Sequence, residues 1–530
     1  MSEAAALTAP VSTRSSPAVN PWVIAIVVTL ATFMEVLDTS IANVSLPHIA
    51  GGLSAGVDES TWIITSYLVS NAIILPMSGW FSALIGRKRF YMSCVALFTA
   101  SSFLCGLAPN LGSLIAFRIL QGIGGGGLQP SEQSILADTF SPAKRGMAFA
   151  MYGMAVVFAP AIGPTLGGWI TDDYSWRWIF YINIPVGIIS VLLTSRVVHD
   201  PPHLQGRQGQ RMKIDYIGFG LIALGLGAMQ IVLDKGERDD WFSSHFILGL
   251  TIVAAAALII AIIWEWKHDH PIIDLKLFKD RSFAVSNGMM FMLGFVLLGS
   301  TLLIPLFAQT MMGYPATRAG MALMPGGLII ICSMPLVGFL LSRYDPRYMM
   351  AFGLTMVSLS LLYMRGFNLT IDFWTLATAR MLQGCGLGFL FVPINTVAYS
   401  YLPPGKNNAA SGIINLSRNV GASVGISMVT TMLDRRTQFH RSRLSAYLDP
   451  ANANVQSMLN GTTSTLQAHG ASATGALQQA YGMLQNNLER QSQMLAYIDN
   501  FWMLGLATLV LIPCVLLVRK PKRGARAMAH

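Results

Sequence analysis

The sequence predicts an all-α polytopic membrane protein with fourteen spanning helices. Three observations carry that prediction. Of the 530 residues, 53% are hydrophobic and only 11% are charged, whereas soluble domains are about 25% charged. Apolar stretches recur that are long enough to cross a bilayer, which takes about 20 residues. Lys and Arg gather in alternate gaps between those stretches, as they do in membrane proteins of fixed orientation. The mean hydropathy of +0.53 excludes a soluble enzyme or a disordered chain. The net charge of +10 then reads as a topology signal, not as a nucleic-acid surface.

The spans follow in order. A tail rich in Ala, Ser, Thr and Pro (1–21) precedes the first span, near Trp22, and lacks a cleavage pattern, so that span is retained. The second begins near Ser60, the third near Phe90, the Gly-rich fourth near Leu111, the fifth near Met147 and the sixth near Ile179. The seventh, near Tyr216, carries several glycines but no charge until Asp234, and the eighth runs cleanly from Phe246 to Trp264. Six more begin near Phe283, Ala319, Met349, Phe373, Asn408 and Asn500. With the N-terminus in the cytoplasm, the inner segments hold twenty-two Lys and Arg and the outer ones ten. Both termini are therefore expected inside. Cys94, Cys105, Cys332, Cys385 and Cys514 form an odd set within apolar stretches, which predicts small buried residues without disulfides.

The chain repeats itself. Arg118, Leu120, Gln121, Gly122 and Gly124 recur as Arg380, Leu382, Gln383, Gly384 and Gly386. Pro76 and Gly79 recur as Pro335 and Gly338. Each segment returns eight spans later in the same orientation, which predicts two six-helix halves (22–196 and 283–518) related by an axis along the membrane normal. The segment 197–282 inserts two central helices between them, and 519–530 is a basic tail.

The residues then point to a family. Leu37, Asp38, Ile41, Asn43, Leu46 and Pro47 are similar to the first-helix motif of the EmrB-type fourteen-helix drug/proton antiporters of the major facilitator superfamily. The loop with Gly79, Gly86, Arg87 and Lys88 resembles the superfamily's cytoplasmic motif, and Arg118 to Gly126 its fourth-helix arginine motif. Pro160, Gly163, Pro164, Gly167 and Gly168 resemble the motif of antiporters, and Trp176 to Gly187 the entry to the sixth helix. One departure is Ala83, where the loop motif usually has an acid; the charge relay attributed to that loop is then in doubt. The resemblance implies the major facilitator fold and multidrug efflux by alternating access. It implies a bacterial inner membrane, no cofactor beyond a proton gradient, and a periplasmic adaptor and outer-membrane channel as partners.

A charge at the bilayer centre costs about 2.5–3.5 kcal/mol on insertion scales, so those inside spans need a reason. Glu35 and Asp38 lie three apart on one face of the first span. Counting helical rise puts Asp38 about 10 Å and Arg118 about 9 Å from the outer end, so the two can pair. A carboxylate that trades a cation for a proton is a workable carrier, which makes Asp38, Glu35 and Arg118 the candidates for proton coupling. Structural pairing is the alternative. Arg380 lacks a nearby acid in the sequence and reads as structural. Glu132 reads as lining a vestibule, and with Arg418, Asn43 and Gln121 it is a candidate for the substrate cavity. The Gly/Pro motif from Pro160 to Gly168 suits either a bendable fifth helix or tight packing. No catalytic constellation and no metal site is evident.

Residues 435–498 form the one long outer segment. Leu477, Tyr481, Leu484, Leu488 and Leu495 recur at helical spacing, which predicts one or two amphipathic helices there. The function that fits is a proton-coupled exporter of amphiphilic or hydrophobic molecules. A dedicated exporter of one metabolite or fatty acid is the alternative.

Overall fold

The computed structural model describes residues 20–200, 215–269, 271–403, 405–449 and 452–519. The tail 1–19, part of the first inserted loop and the basic C-terminal tail lie outside the described residues. Every regular element among the described residues is helical.

The first six spans are α1 (Pro21–Gly52), α2 (Trp62–Ile85), α3 (Arg87–Leu107), α4 (Leu111–Thr139), α5 (Pro142–Asp173) and α6 (Trp178–Val197). The inserted pair is α7 (Tyr216–Lys235) and α8 (His245–Lys267). The second set opens with α9 (Arg281–Thr310), α10 (Arg318–Leu340), α11 (Pro346–Met364) and α12 (Phe373–Ala398). It continues with α13 (Asn407–Ser445), α14 (Ala453–Ala468) and α15 (Ala473–Val510).

Among the described residues, thirteen helices are long and apolar enough to span a membrane. Those thirteen leave out α13, the predicted thirteenth span, whose Asn408, Ser411, Asn415, Arg418 and Ser427 are nevertheless buried. It packs along α9, α2 and α15, and its polar groups face protein. The fourteenth span is the second half of α15, a helix that already begins at Ala473.

The repeat has a structural counterpart. A Cβ on Gly79 would lie 2.8 Å from Ala409 Cα, and one on Gly338 would lie 2.9 Å from Met147 Cα. The repeated Pro-x-x-Gly segments thus bring α2 against α13 and α10 against α5, closing the two sets of helices together near Arg87 and Arg343. We call this the basic end. Gly86, between α2 and α3, has φ 92°, a left-handed conformation that costs glycine little.

The inserted α7 lies against both α2 and α13. At the end opposite the basic one, Asp234 accepts from Thr65 of α2. Beyond it, Trp241 Nε1 donates to Thr431 Oγ1 of α13 at 3.1 Å. The outer helix α8 has only 22% of its most apolar window buried, as expected of a helix facing lipid.

Two expectations need correction, that of the cysteines and that of the outer apolar stripe. Cys94 and Cys105 are buried, but Cys332 is exposed on α10 and Cys385 and Cys514 are intermediate; apolar surroundings here include lipid as well as protein. The outer segment does hold helices, as expected: α13 and α15 extend outward, and α14 packs on α15 through Val455, Leu459 and Ala480. Of the predicted stripe, Leu484 joins that contact, while Leu477 and Tyr481 are 44% and 52% exposed.

Candidate functional site

The deepest charges converge where α1, α2, α4 and α6 meet. Asp38 Oδ2 accepts from Arg118 Nη1 at 2.7 Å, and both side chains are buried. Arg118 also donates through Nη1 to Gln121 Oε1 at 2.7 Å and through Nε to the Ile63 carbonyl at 3.2 Å. Its guanidinium lies over the Tyr67 ring, 4.3 Å from the centroid. Asp38 Oδ1 accepts from Gln121 Nε2 at 3.1 Å and from Asn183 Nδ2 at 2.7 Å. A buried ion pair needs such extra bonds to offset its desolvation. The glycines of α4 allow the approach: a Cβ on Gly122 would lie 2.0 Å from Ser70 Oγ of α2.

Glu35 sits one turn away, and among the described residues no cation is in direct contact with it. Its Oε1 accepts from Tyr67 OH at 2.9 Å and Asn71 Nδ2 at 3.3 Å, and its Oε2 accepts from Gln129 Nε2 at 2.6 Å. The other side of that amide faces the second set of helices. Gln129 Oε1 accepts from Arg418 Nη2 and from Tyr152 OH at 3.2 Å. Arg418 Nη1 donates to Tyr152 OH at 3.2 Å. Glu35 on α1 and Arg418 on α13 are therefore joined through one side-chain amide.

From this level to the basic end the two sets of helices are held mainly by amides and hydroxyls, with one carboxylate at the end. Gln133 Oε1 accepts from Asn415 Nδ2 at 2.7 Å and Tyr399 OH at 3.1 Å. Ser134 donates to Asn408, and Asn407 Nδ2 donates to Asp138 Oδ1 at 2.6 Å. Arg87 forms an ion pair with the same Asp138. Ala83 removes one acid from the loop motif, yet Arg87 still has an anion, supplied by the end of α4.

The candidates divide. Asp38, Glu35, Arg118 and Gln121 come together as one cluster, so Gln121 belongs with the ion pair rather than with a separate cavity. Glu132 does not line an open vestibule. It is fully buried, and its Oε1 accepts from Thr29 at 2.6 Å; the α1–α4 contact covers it. Asn43 is exposed and donates to Thr39 O of its own helix at 3.1 Å, because helix rotation turns it away from Asp38. Arg418 does reach the central seam. In α5, Pro160 and Pro164 lie inside a continuous helix. There, a Cβ on Gly163 would lie 2.2 Å from Ser40 Oγ and one on Gly167 3.2 Å from Ile41 Cα, while one on Gly168 would meet nothing within 4 Å. Close packing on α1 accounts for Gly163 and Gly167. Sequence reasoning missed Tyr67, Asn71, Gln129, Tyr152 and Asn183 as members of the site. Their signal was polarity inside apolar spans.

Comparison with known proteins agrees with this architecture. The Major Facilitator Superfamily model matches residues 28–426. The chain is 37% identical over 503 residues to the multidrug export protein EmrB of Escherichia coli K12, covering 94% of this chain and 95% of that protein. It is 38% identical over 495 residues to the fatty acid resistance protein FarB of Neisseria gonorrhoeae, covering 93% and 95%. A solved structure of a proton:xylose symporter of the superfamily matches the fold with a TM-score of 0.61 at 14% identity, covering 95% of this chain and 96% of that one. The chain belongs to the major facilitator superfamily and is a multi-pass membrane transporter of the EmrB type, not an enzyme.

Proposed function

We propose that the protein is a proton-coupled antiporter that exports amphiphilic or hydrophobic small molecules by alternating access. The observation that carries this reading is the buried Asp38–Arg118 pair with Glu35 one helical turn away. Asp38 is held by one cation and two neutral amides. Movement of α4 relative to α1 would withdraw Arg118, and a proton would then replace it as the neutralising charge. Glu35 is held by neutral donors alone, so gaining a proton there would change which partners it donates to and accepts from. The proton gradient is the energy source, with no other cofactor.

The positive-inside count supports placing the basic end in the cytoplasm, with both termini there, in a bacterial inner membrane. The halves 22–196 and 283–518 would then rock about the central seam, with the sealed basic end making this the outward-facing state. The outer extension of α13–α15 would meet a periplasmic adaptor that leads to an outer-membrane channel, as the sequence motifs' resemblance to EmrB-type pumps implies. Loss of adaptor co-purification on deleting 445–490 is the expected result; unchanged recovery would remove that role.

The test of coupling uses proteoliposomes with an imposed pH gradient and a fluorescent amphiphilic cation. Wild type is expected to move the probe, whereas Asp38→Asn or Glu35→Gln stops it. Movement indifferent to the gradient and to both substitutions would sink the assignment. The similarity to a fatty acid resistance protein supports a second reading, a narrow exporter of fatty acids, which a restricted ligand profile would single out.

A further inference from the structure

The buried arginines of the first half each have a carboxylate: Arg87 meets Asp138 and Arg118 meets Asp38. Arg380 of the second half does not. It is 5% exposed, yet Nη1 donates to Gln383 Oε1 and Nη2 to Thr301 Oγ1 at 2.9 Å, both neutral acceptors. Its Nε is buried without a partner. Among the described residues no carboxylate lies within ion-pair distance of it.

The repeat identifies the group that differs. The offset that carries Arg118 to Arg380 and Gln121 to Gln383 carries Asp38 to Ser300 and Thr39 to Thr301. The hydrogen bonds follow the same pattern. Gln121 Nε2 donates to Asp38 Oδ1 at 3.1 Å, and Gln383 Nε2 donates to Ser300 Oγ at 2.9 Å. The scaffold that holds a carboxylate against a guanidinium is thus present twice, with a hydroxymethyl group replacing the carboxymethyl group in the second copy. A guanidinium buried without an anion is costly, and its planar fork is matched to a carboxylate in two-point contact. Exchanging Asp for Ser removes one carbon, one oxygen and the negative charge, so the group this scaffold lacks is a carboxylate rather than a bulkier phosphate. Thr301 is half-exposed, so the guanidinium lies one side chain from an accessible surface.

We infer that Arg380, Gln383, Ser300 and Thr301 form a binding position for the carboxylate head of an amphiphilic ligand, which takes beside Arg380 the place that Asp38 holds beside Arg118. The inference rests on the export reading and adds to it a division of labour. Proton-carrying carboxylates lie in the first half, and the cation that meets an acidic substrate lies in the second.

The test is equilibrium binding to the purified full chain in lipid nanodiscs, without any gradient. The probes are radiolabelled dodecanoate at pH 8, where a carboxyl in water is ionised, and dodecyltrimethylammonium. Ser300→Asp supplies the carboxylate internally. It is expected to weaken dodecanoate binding tenfold or more while dodecyltrimethylammonium binding changes less than twofold. Arg380→Gln is expected to give the same selective loss, and it decides alone if Ser300→Asp fails to fold by thermal melting. Absence of dodecanoate binding to wild type, unchanged dodecanoate binding in a folded variant, or equal loss of both probes would overturn the inference. Failure of proton coupling would leave this binding result intact, because no transport step enters the measurement.

Discussion

Arg118 and Arg380 occupy matching places in the repeat, yet their removal should have unequal consequences. Arg118→Gln leaves Asp38 buried without its cation, and breaking a buried pair on one side costs about 3–5 kcal/mol. Arg380→Gln loses charge-assisted hydrogen bonds worth about 1.5–3 kcal/mol each, but it also removes a buried charge that has no anion, which offsets much of that loss. Thermal unfolding of the two purified variants should therefore show a large drop in midpoint for the first and a small one for the second. The pairing of Asp38 with Arg118 was legible in the sequence, because intramembrane charges are rare and helical rise fixes their depth. The setting of Glu35 was not. Its partners Tyr67, Asn71 and Gln129 are neutral and come from two other helices, and their facing depends on packing that no single span encodes. Asn43 and Asn183 make the same point. One faces outward and the other binds Asp38, and a few tens of degrees of helix rotation decide which.

At the scale of elements, the α9–α13 contact sets the tolerance of the second half. A Cβ on Gly421 would lie 2.0 Å from the Phe291 carbonyl oxygen, and one on Gly425 2.3 Å from that of Phe295. Gly421→Ala must push the backbones apart, which typically costs about 1–3 kcal/mol and should lower the melting midpoint. The inserted helices bring a different property. Just beyond α7, Glu237 shares a hydrogen bond with Asp434 of α13, and this bond with partial burial raises its carboxyl to about 7. The neighbouring Arg238 opposes the shift and Asp240 adds to it. A carboxyl whose folded value is raised holds its proton in the folded state, so its contribution is present at acidic pH and fades as pH rises through about 7. Hydrogen exchange of the 236–244 segment, corrected for intrinsic rates, should be slower at pH 6 than at pH 8, and Glu237→Gln should erase the difference. Sequence reading located the insertion through the repeat, whose segments return eight spans later. It could not reveal the clasp, since Glu237 and Asp434 lie far apart in the chain.

At the scale of the molecule, one end is sealed by amides, hydroxyls and one carboxylate, with no ion pair across the seam among the described residues. Gln133, Ser134 and Asp138 meet Asn395, Tyr399, Asn407, Asn408 and Asn415 across the seam. Ser134→Cys with Asn408→Cys, made in a background without the five native cysteines, should cross-link on oxidation and stop transport. Reductant should restore it. Cross-linking without loss of transport would mean that this seam does not open during the cycle. The repeat itself was legible because its motifs keep their spacing and orientation, and the close approaches at Gly79 and Gly338 follow it. Which end is closed was not legible, because the same residues must serve both states of a transporter.

The polarity of α13 has a consequence for biosynthesis. The translocon releases segments into lipid according to their partitioning, and a helix bearing Asn408, Ser411, Asn415 and Arg418 on its buried face gains little by entering alone. Its main neighbour α9 is synthesised earlier and is already in the bilayer when α13 emerges from the ribosome. Gly294, where a Cβ would lie 2.1 Å from the Arg418 carbonyl oxygen, is thus part of a reception surface. Damage there would surface first as chains degraded during synthesis, before any transporter exists to be assayed.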